Sequence, residues 1–318
     1  MNKPVLAHIV ERLAKQGFDE VIITTNYKVE QIREQMGDGS KWGIKIKIVH
    51  EDKPLGTAGS VKNALHHLNE TFAVVQGDSI SDIDIGALYK KHKKMGGLVT
   101  ICLREVDDVS HFGIAEIKGD EIVRFKEKPK PDETFSNLAN AGIYIIEPHV
   151  LDMIPLEFYD FSKNLFPKML EEKKKICGVI SNDFWRDVGT PRDYLEATCY
   201  FLKHKNCIGE GSKVKDSDIR ESCVGRNCVI TGASVMGSVV LDGTKIDKGS
   251  KLKSCIVGYN CKIGKNVDIW PGAVIGDDVT LKDGAIIKSS SRIGPRVEMR
   301  EDEVVNGVVA PKDLETSE

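Results

Sequence analysis

The sequence predicts two domains: an α/β domain on a doubly wound, mostly parallel sheet, then a β-solenoid of hexapeptide repeats. Three observations carry this reading. The chain has 318 residues, more than one hydrophobic core usually organises. Up to about residue 204, apolar helix patterns and apolar strand patterns alternate. From about residue 205, an aliphatic residue returns at steps of five or six and finally at a steady six. The expected division is 1–204, 205–310 and a flexible tail over 311–318.

In chain order, Val5 to Gln16 places Val5, Leu6, Ile9, Val10 and Leu13 on one helical face. Val21 to Thr25 is a short apolar strand and Val29 to Gln35 a helix. Ile44 to Val49 reads as a strand, Val61 to Leu68 as a helix, and Phe72 to Val75 as a strand ending in Gly77-Asp78. Ile85 to Met95 is helical and Val99 to Leu103 extended. This alternation predicts a parallel sheet covered on both faces. The strands Gly113–Ile117, Ile122–Phe125 and Ala141–Ile146 lack intervening helices, which predicts an antiparallel excursion. Helical segments follow near Val150–Ile154, Lys163–Glu172 and Pro191–Phe201.

The last third is defined by its period. Val257, Ile263, Ile269, Ile275, Leu281, Ile287 and Ile293 stand six apart. Cys261, Val267, Ala273, Val279, Ala285, Ser291 and Val297 follow four positions after them. A helix of ~3.6 residues per turn would sweep such a set around its whole cylinder. A triangular coil of three short strands points every member inward, and each coil buries its face against its neighbours. The run resembles the left-handed β-helix family over roughly 206–300, about five coils of three hexapeptides each. Cys223, Cys228 and Cys261 fall on small inward positions and read as core hydrophobes.

Composition excludes several classes. Lys plus Arg is 45 against 48 for Asp plus Glu, a net charge of −3, so no broad cationic surface points to nucleic acid. No apolar run approaches the ~20 residues that cross a bilayer. No export signal is visible, and the eight cysteines include no Cys-x-x-Cys pair. A cytoplasmic protein with reduced thiols is expected, with no membrane partner.

In open α/β sheets, ligands sit beyond the carboxyl ends of the strands. Five segments lie at such places. Glu51 to Ser60, with Gly56, Thr57, Ala58 and Gly59, follows a strand and opens a helix, where small residues and free amides suit a base edge or an anion. Gln76-Gly77-Asp78 offers a carboxylate for Mg²⁺, which takes one or two carboxylates and fills its shell with water and phosphate. Asp82 and Asp84 read first as turn and N-cap groups. Phe125 to Pro129 sets Glu127 beside Lys128, a hydroxyl acceptor next to a point charge for phosphate. Asn140-Ala141-Gly142 gives an amide beside unhindered backbone. Trp185 to Thr190 carries Asp187, a second metal carboxylate or a turn residue, with Thr190 as N-cap and Pro191 in the first helical turn.

In this order the segments resemble the sugar-1-phosphate nucleotidyltransferases, the nucleoside-diphosphate-sugar pyrophosphorylases, from about Lys3 to Thr198. Within that family, Leu55 to Gly59, Phe135 to Leu138 with Asn140 to Gly142, and Asp187 to Thr190 are most similar to mannose-1-phosphate guanylyltransferases. The resemblance implies a Rossmann-like nucleotidyltransferase domain. It also implies transfer of a nucleotidyl group from a nucleoside triphosphate, GTP favoured, to a sugar 1-phosphate, mannose 1-phosphate favoured. Asp78 and Asp187 would hold Mg²⁺, and with Lys128 would form the catalytic set. Gly56, Thr57 and Gly59 would line the nucleotide site. Gly113, Glu127, Asn140 and Gly142 would contact the sugar, and Lys128 its phosphate.

The family pattern opens with a strand and a Gly-rich loop carrying Arg and Lys. Here Asn2-Lys3-Pro4-Val5 matches the lead-in to the first helix, and roughly thirty residues of the pattern have no counterpart. A native chain longer at its front is therefore expected, with activity impaired in the sequence as it stands. Loss of a central strand is further expected to leave an unpaired ladder on both of its neighbours. A non-catalytic sugar-nucleotide-binding subunit is the alternative. An acyltransferase is disfavoured, since such solenoids use a catalytic His and none follows His204. The solenoid is expected to serve homo-oligomerisation.

Overall fold

The computed structural model describes residues 3–311. The expected tail falls outside the described residues, apart from Pro311. The chain forms two compact units, Val5–Trp185 and Arg186 onward, the latter joined by the few residues ahead of Val5.

The first unit contains α1 (Val5–Lys15), β1 (Glu20–Thr25), α2 (Val29–Met36), β2 (Lys45–His50), α3 (Gly56–Asn63), β3 (Phe72–Val75) and β4 (Ser79–Ser81). It continues with α4 (Ile85–Met95), β5 (Val99–Glu105), β6 (Gly113–Lys118), β7 (Glu121–Glu127), β8 (Leu138–Ile146), α5 (Phe166–Glu171) and β9 (Ile176–Ile180). β10 (Trp185–Asp187) runs into the second unit. The helix expected from Val61 begins five residues earlier, so the Gly-Thr-Ala-Gly segment is its first turn. Strands β4 and β10 are too short or too polar to show in the pattern, whereas β9 is an apolar five-residue run that the sequence reading passes over.

The main sheet has the order β3-β8-β5-β9-β7-β6. β3, β5, β6 and β9 run one way, with β7 and β8 against them. The expected antiparallel excursion is therefore the insertion of β8 between β3 and β5, together with the β6–β7 hairpin. Strands β1 and β2 pair in parallel as a separate sheet. β1 and β3 thus each have one hydrogen-bonded neighbour among the described residues.

Two apolar layers cover the main sheet. Phe72 and Val74 of β3 pack with Val61, Leu65 and Leu68, and with Tyr144, Phe161 and Phe166. Ala73 and Val75, on the opposite strand face, pack with Val10, Leu13, Ile143 and Ile145. Gln16 fastens α1 to the segment before α4: its side chain donates to the Ile83 carbonyl at 3.0 Å and accepts from the Ile85 N–H at 2.8 Å. Asp84 caps α4 by accepting from the Ala87 N–H at 2.8 Å, and Asp82 pairs with Arg12 at 2.7 Å. Asp84 thus takes the cap role read from the sequence, while Asp82 serves as an ion-pair partner of α1.

In the second unit, α6 (Pro191–Leu202) starts at Thr190, whose side chain accepts from the Asp193 N–H in a capping box, with Pro191 in the first turn. Its stripe of Tyr194, Leu195 and Leu202 packs on Cys207, Cys223 and Val239 of the first coils. That contact groups α6 with the coils in one compact unit.

The solenoid has three parallel sheets of seven, six and six strands. Its first face stacks Cys207, Cys223, Val239, Ile256, Val274, Arg292 and Val308 in register. This carries the coils to Val309, inside the expected 205–310 span and past the roughly 206–300 over which the hexapeptide run is plain. The aliphatic residues at steps of five or six form three stacks around one buried core: Val257 with Ile275, Ile246 with Ile263 and Leu281, and Leu252 with Ile269 and Ile287.

Corner hydroxyls tie each coil to the next. Thr244 Oγ1 donates to the Gly258 carbonyl at 2.8 Å and accepts from the Cys261 N–H at 3.0 Å. Ser250 does the same between Gly264 and Val267. Each satisfies two backbone groups that a buried corner would otherwise strand. Burial pushes the Cys223 and Cys255 thiols up to about 12 and that of Cys261 up to about 11, so they are packing groups and not nucleophiles.

One polar cluster fixes α4 to the end of β8. Glu147 accepts from Lys93 at 2.6 Å and Thr71 at 2.8 Å, and it bonds the buried His92, which also bonds Thr100 at 2.8 Å. Burial alone would raise the Glu147 carboxyl; hydrogen bonds from Lys93, Thr71 and His92 outweigh it and hold the group at about 2. The carboxylate therefore stabilises the fold above its ordinary value near 4.5, and that stability disappears as pH falls toward 2. Glu147→Gln is expected to cost on the order of 1 kcal/mol at pH 7. Denaturant melts should show the gap between the two proteins closing on acidification.

Candidate functional site

The site is built where strands of the first unit end. β6 opens at Gly113, which lies opposite Glu127 at the end of β7. A Cβ at Gly113 would lie 2.7 Å from Glu127 Oε2 and 2.7 Å from the Phe125 ring, so the carboxylate folds over bare backbone there. Glu127 is half-buried. Burial raises its carboxyl above the ordinary range, opposed by the Lys128 ammonium and a hydrogen bond with Ser162.

Ser162 is shared. The Asn140 Nδ2 donates to Ser162 Oγ at 3.2 Å and to Tyr144 Oη at 2.9 Å, while its Oδ1 accepts from the Gly142 N–H at 2.9 Å. Tyr144 lies two positions beyond Gly142 on β8 and is buried, which pushes its phenol up to about 12. Gly142 has φ +69°, and a Cβ there would lie 2.5 Å from Gln76 Cγ. The Gln76 N–H in turn donates to the Gly142 carbonyl at 3.1 Å. β8 therefore carries Asn140 toward Ser162 and Glu127 while holding the end of β3, where Gly77 and Asp78 follow. Asp78 is exposed and accepts from Ser79 Oγ at 3.4 Å.

Lys128 is exposed with a left-handed backbone, φ +43°, and its N–H donates to the Phe112 carbonyl at 3.0 Å. Such backbone in a non-glycine residue is uncommon and costs of order 1–3 kcal/mol. The turn that pays this cost sets Lys128 directly after Glu127.

The start of α3 differs from its sequence reading in one respect. The N–H groups of Ala58 and Gly59 both donate to the Tyr159 carbonyl at 2.9 Å, so they are not free for a ligand. The glycines answer to the same segment. A Cβ at Gly56 (φ +71°) would lie 2.8 Å from Tyr159 O, and one at Gly59 would lie 2.3 Å from Glu157 O. Thr57 Oγ1 accepts from the Phe161 N–H at 3.0 Å and reaches Asp160 Oδ1 at 3.4 Å. Gly56 and Thr57 nevertheless line a cavity, together with Gln76 and Gly77. Residues 157–162 thus join the α3 start to the Glu127–Asn140 cluster.

Gly56, Thr57, Gly59, Gly113, Glu127, Asn140 and Gly142 are linked by these contacts, and Asp78 lies two residues beyond Gln76. Asp187 is a half-buried residue at the end of β10, in the second unit. The Asp82 N–H donates to the Phe184 carbonyl at 2.7 Å, so the segment leading toward Asp187 runs beside the one that follows Asp78. Ser162 and Tyr144 were not singled out in the sequence, and Gln76 stood there only as the start of the segment bearing Asp78. Tyr144 shares a strand face with Asn140 and Gly142, a spacing that could have pointed to it. Ser162 carries no local signal.

No group of three or more His, Cys, Asp or Glu able to hold a metal occurs among the described residues. An exposed carboxylate such as Asp78 suits a hard cation that completes its shell with phosphate and water. No helix of the described residues is long and apolar enough to cross a membrane.

Residues 1–204 match the nucleotidyl transferase family, and residues 198–309 match the GMPPB C-terminal domain. The mannose-1-phosphate guanylyltransferase catalytic subunit beta of Danio rerio is 33% identical over 316 residues, covering 91% of this chain and 87% of that protein. The protein of the same name from Xenopus tropicalis is 33% identical over 308 residues, covering 89% and 85%. Among solved structures, HddC from Yersinia pseudotuberculosis complexed with GMP-PN aligns with a TM-score of 0.55 at 25% identity, over 63% of this chain and 86% of that one. The chain belongs to the nucleotidyl transferase family.

Burial makes the ionised Glu127 carboxylate a cost to the fold. Because its folded value is raised, its contribution is favourable at low pH, where the group is protonated, and is lost as pH rises through that raised value. Glu127→Gln is expected to raise the melting temperature at pH 7, with the gain vanishing below about pH 4. Calorimetric melts across that range check the sign.

Proposed function

We propose that this family member transfers a nucleotidyl group from GTP to mannose 1-phosphate, giving a nucleotide sugar and pyrophosphate. The observation that carries the reading is the linked set Glu127, Ser162, Asn140 and Gly142, hydrogen-bonded onward through Gln76 toward Asp78. The names of the relatives support the choice of base and sugar.

In this reading an oxygen of the sugar phosphate attacks the α-phosphorus. The new P–O bond forms as the bond from that phosphorus to the β-phosphate bridge breaks, and pyrophosphate leaves with the electron pair. The attacking phosphate is already an anion, so no general base is required; alignment and charge neutralisation carry the reaction. Glu127 would accept from sugar hydroxyls and Asn140 would hold a third contact, the geometry of both fixed by Ser162. Lys128 would set its ammonium against the sugar phosphate. Gly56, Thr57 and Gly59 would bound the nucleoside side of the site. Asp78 and Asp187 would hold Mg²⁺, which when bound offsets the like charges of the two phosphates. The solenoid would bring copies together, a reading supported by exposed Tyr259, Trp270 and Val308.

The test is pyrophosphate release with GTP, mannose 1-phosphate and Mg²⁺, on the chain and on Asp78→Asn. The expected outcome is pyrophosphate formed one-for-one with nucleotide sugar, and a loss of about 100-fold or more in the variant. Binding of nucleotide sugar without any turnover would contradict the proposal and support a non-catalytic binding subunit instead.

A further inference from the structure

One hydroxyl joins the two halves of the candidate site. The segment before Phe161 crosses the start of α3 and is bonded to it at Tyr159. The Tyr159 N–H donates to the Leu55 carbonyl at 2.8 Å, and the Tyr159 carbonyl accepts from Ala58 and Gly59 at 2.9 Å. Past this crossing the chain makes a single π-helical turn, Phe161–Leu165, in which the Leu165 N–H reaches back to the Asp160 carbonyl at 3.0 Å. Turns of this kind are rare and collect at functional sites.

A helical turn leaves its first N–H groups without a partner inside the turn. Here side chains supply them. Asn164 Oδ1 accepts from the Asp160 N–H at 2.8 Å, while Thr57 Oγ1, 104 positions away, accepts from the Phe161 N–H at 3.0 Å. The same hydroxyl donates toward Asp160 Oδ1 at 3.4 Å, so both of its roles are given to this segment. Phe161 is buried against the Tyr144 and Phe166 rings, where an N–H left without a partner is costly. Ser162, the next residue, bonds Asn140 at 3.2 Å and also bonds Glu127. The order of that pair therefore begins at a hydroxyl on α3.

We propose that Thr57 is a positioning residue for the sugar 1-phosphate: its hydroxyl caps the π-helical turn from outside, and the turn sets Ser162 against Asn140 and Glu127. With Asn140 and Glu127 taken as sugar contacts, as under the proposed function, Thr57 acts on the sugar although it stands on the nucleoside side of the site. Gly59 serves the same end by a separate route. A Cβ there would lie 2.3 Å from Glu157 O, so any side chain lifts the segment that leads into the turn. Neither residue needs to touch the sugar phosphate to align it.

The test pairs hydrogen exchange of the ligand-free protein with calorimetric binding of mannose 1-phosphate in the absence of nucleotide. Both are run on the full chain and on Thr57→Ser, Thr57→Val and Gly59→Ala. In Thr57→Val the expected result is exchange over Phe161–Asn164 faster by about tenfold or more, with the β5 amides protected as in the parent. Affinity for mannose 1-phosphate should fall about tenfold. Thr57→Ser keeps the hydroxyl and should hold both readings near the parent values, whereas Gly59→Ala should weaken sugar phosphate binding as Thr57→Val does. Unchanged exchange in Thr57→Val would overturn the proposal whether or not the sugar phosphate binds. So would faster exchange with unchanged affinity, or a Thr57→Ser variant that loses as much as Thr57→Val. A parent chain that binds no mannose 1-phosphate, with exchange as expected, would contradict the functional reading and with it the sugar role of Thr57, leaving only the cap.

Discussion

The close approach of Gly142 to Gln76 is the contact on which the candidate site depends. Strand β8 runs antiparallel between β3 and β5 in the main sheet, and only a residue without a Cβ lets the Gln76 side chain lie across it. With that contact made, Asn140 and Tyr144 on β8 and the segment that bears Asp78 share one end of the sheet. The hydrogen bonds of Asn140 to Ser162, Tyr144 and Gly142 then leave its amide a single orientation. Ser162 extends the same order to Glu127. Positioning of this kind is what phosphoryl chemistry asks of a protein that need not supply a base.

The two units show opposite relations between sequence and structure. The solenoid was legible because its interactions are local in coil number: Ile263, for example, packs on residues one coil away, and the six-residue spacing records that directly. The α/β elements were mostly legible from period as well. The Glu127–Ser162–Asn140 chain was not, because it joins residues far apart in sequence and Ser162 sits in a short helical turn with no motif. The small residues of α3 stand out in the sequence, but not the partner of their backbone: the amides of Ala58 and Gly59 serve the Tyr159 carbonyl. The docking of α6 was likewise not legible, since its apolar partners lie in the coils at Cys223 and Val239.

The same physics explains the divided sheet of the first unit. Strand residues that read as interior, such as Val74 and Ile22, are held on one ladder and border a cavity on the other side. Among the described residues the two sheets share no ladder, and apolar layers pack on both faces of β3. Half-exposed apolar strands are also where such a unit should open first, because their ladder bonds have a partner on one edge alone.

The most direct test of this account is Gly142→Ala, read by calorimetric binding of mannose 1-phosphate alongside the melting curve. The added methyl must displace Gln76 and strains the φ of +69°. The account predicts binding weakened about tenfold or more while the protein still melts as a folded chain. Unchanged affinity for the sugar phosphate in the folded variant would contradict it.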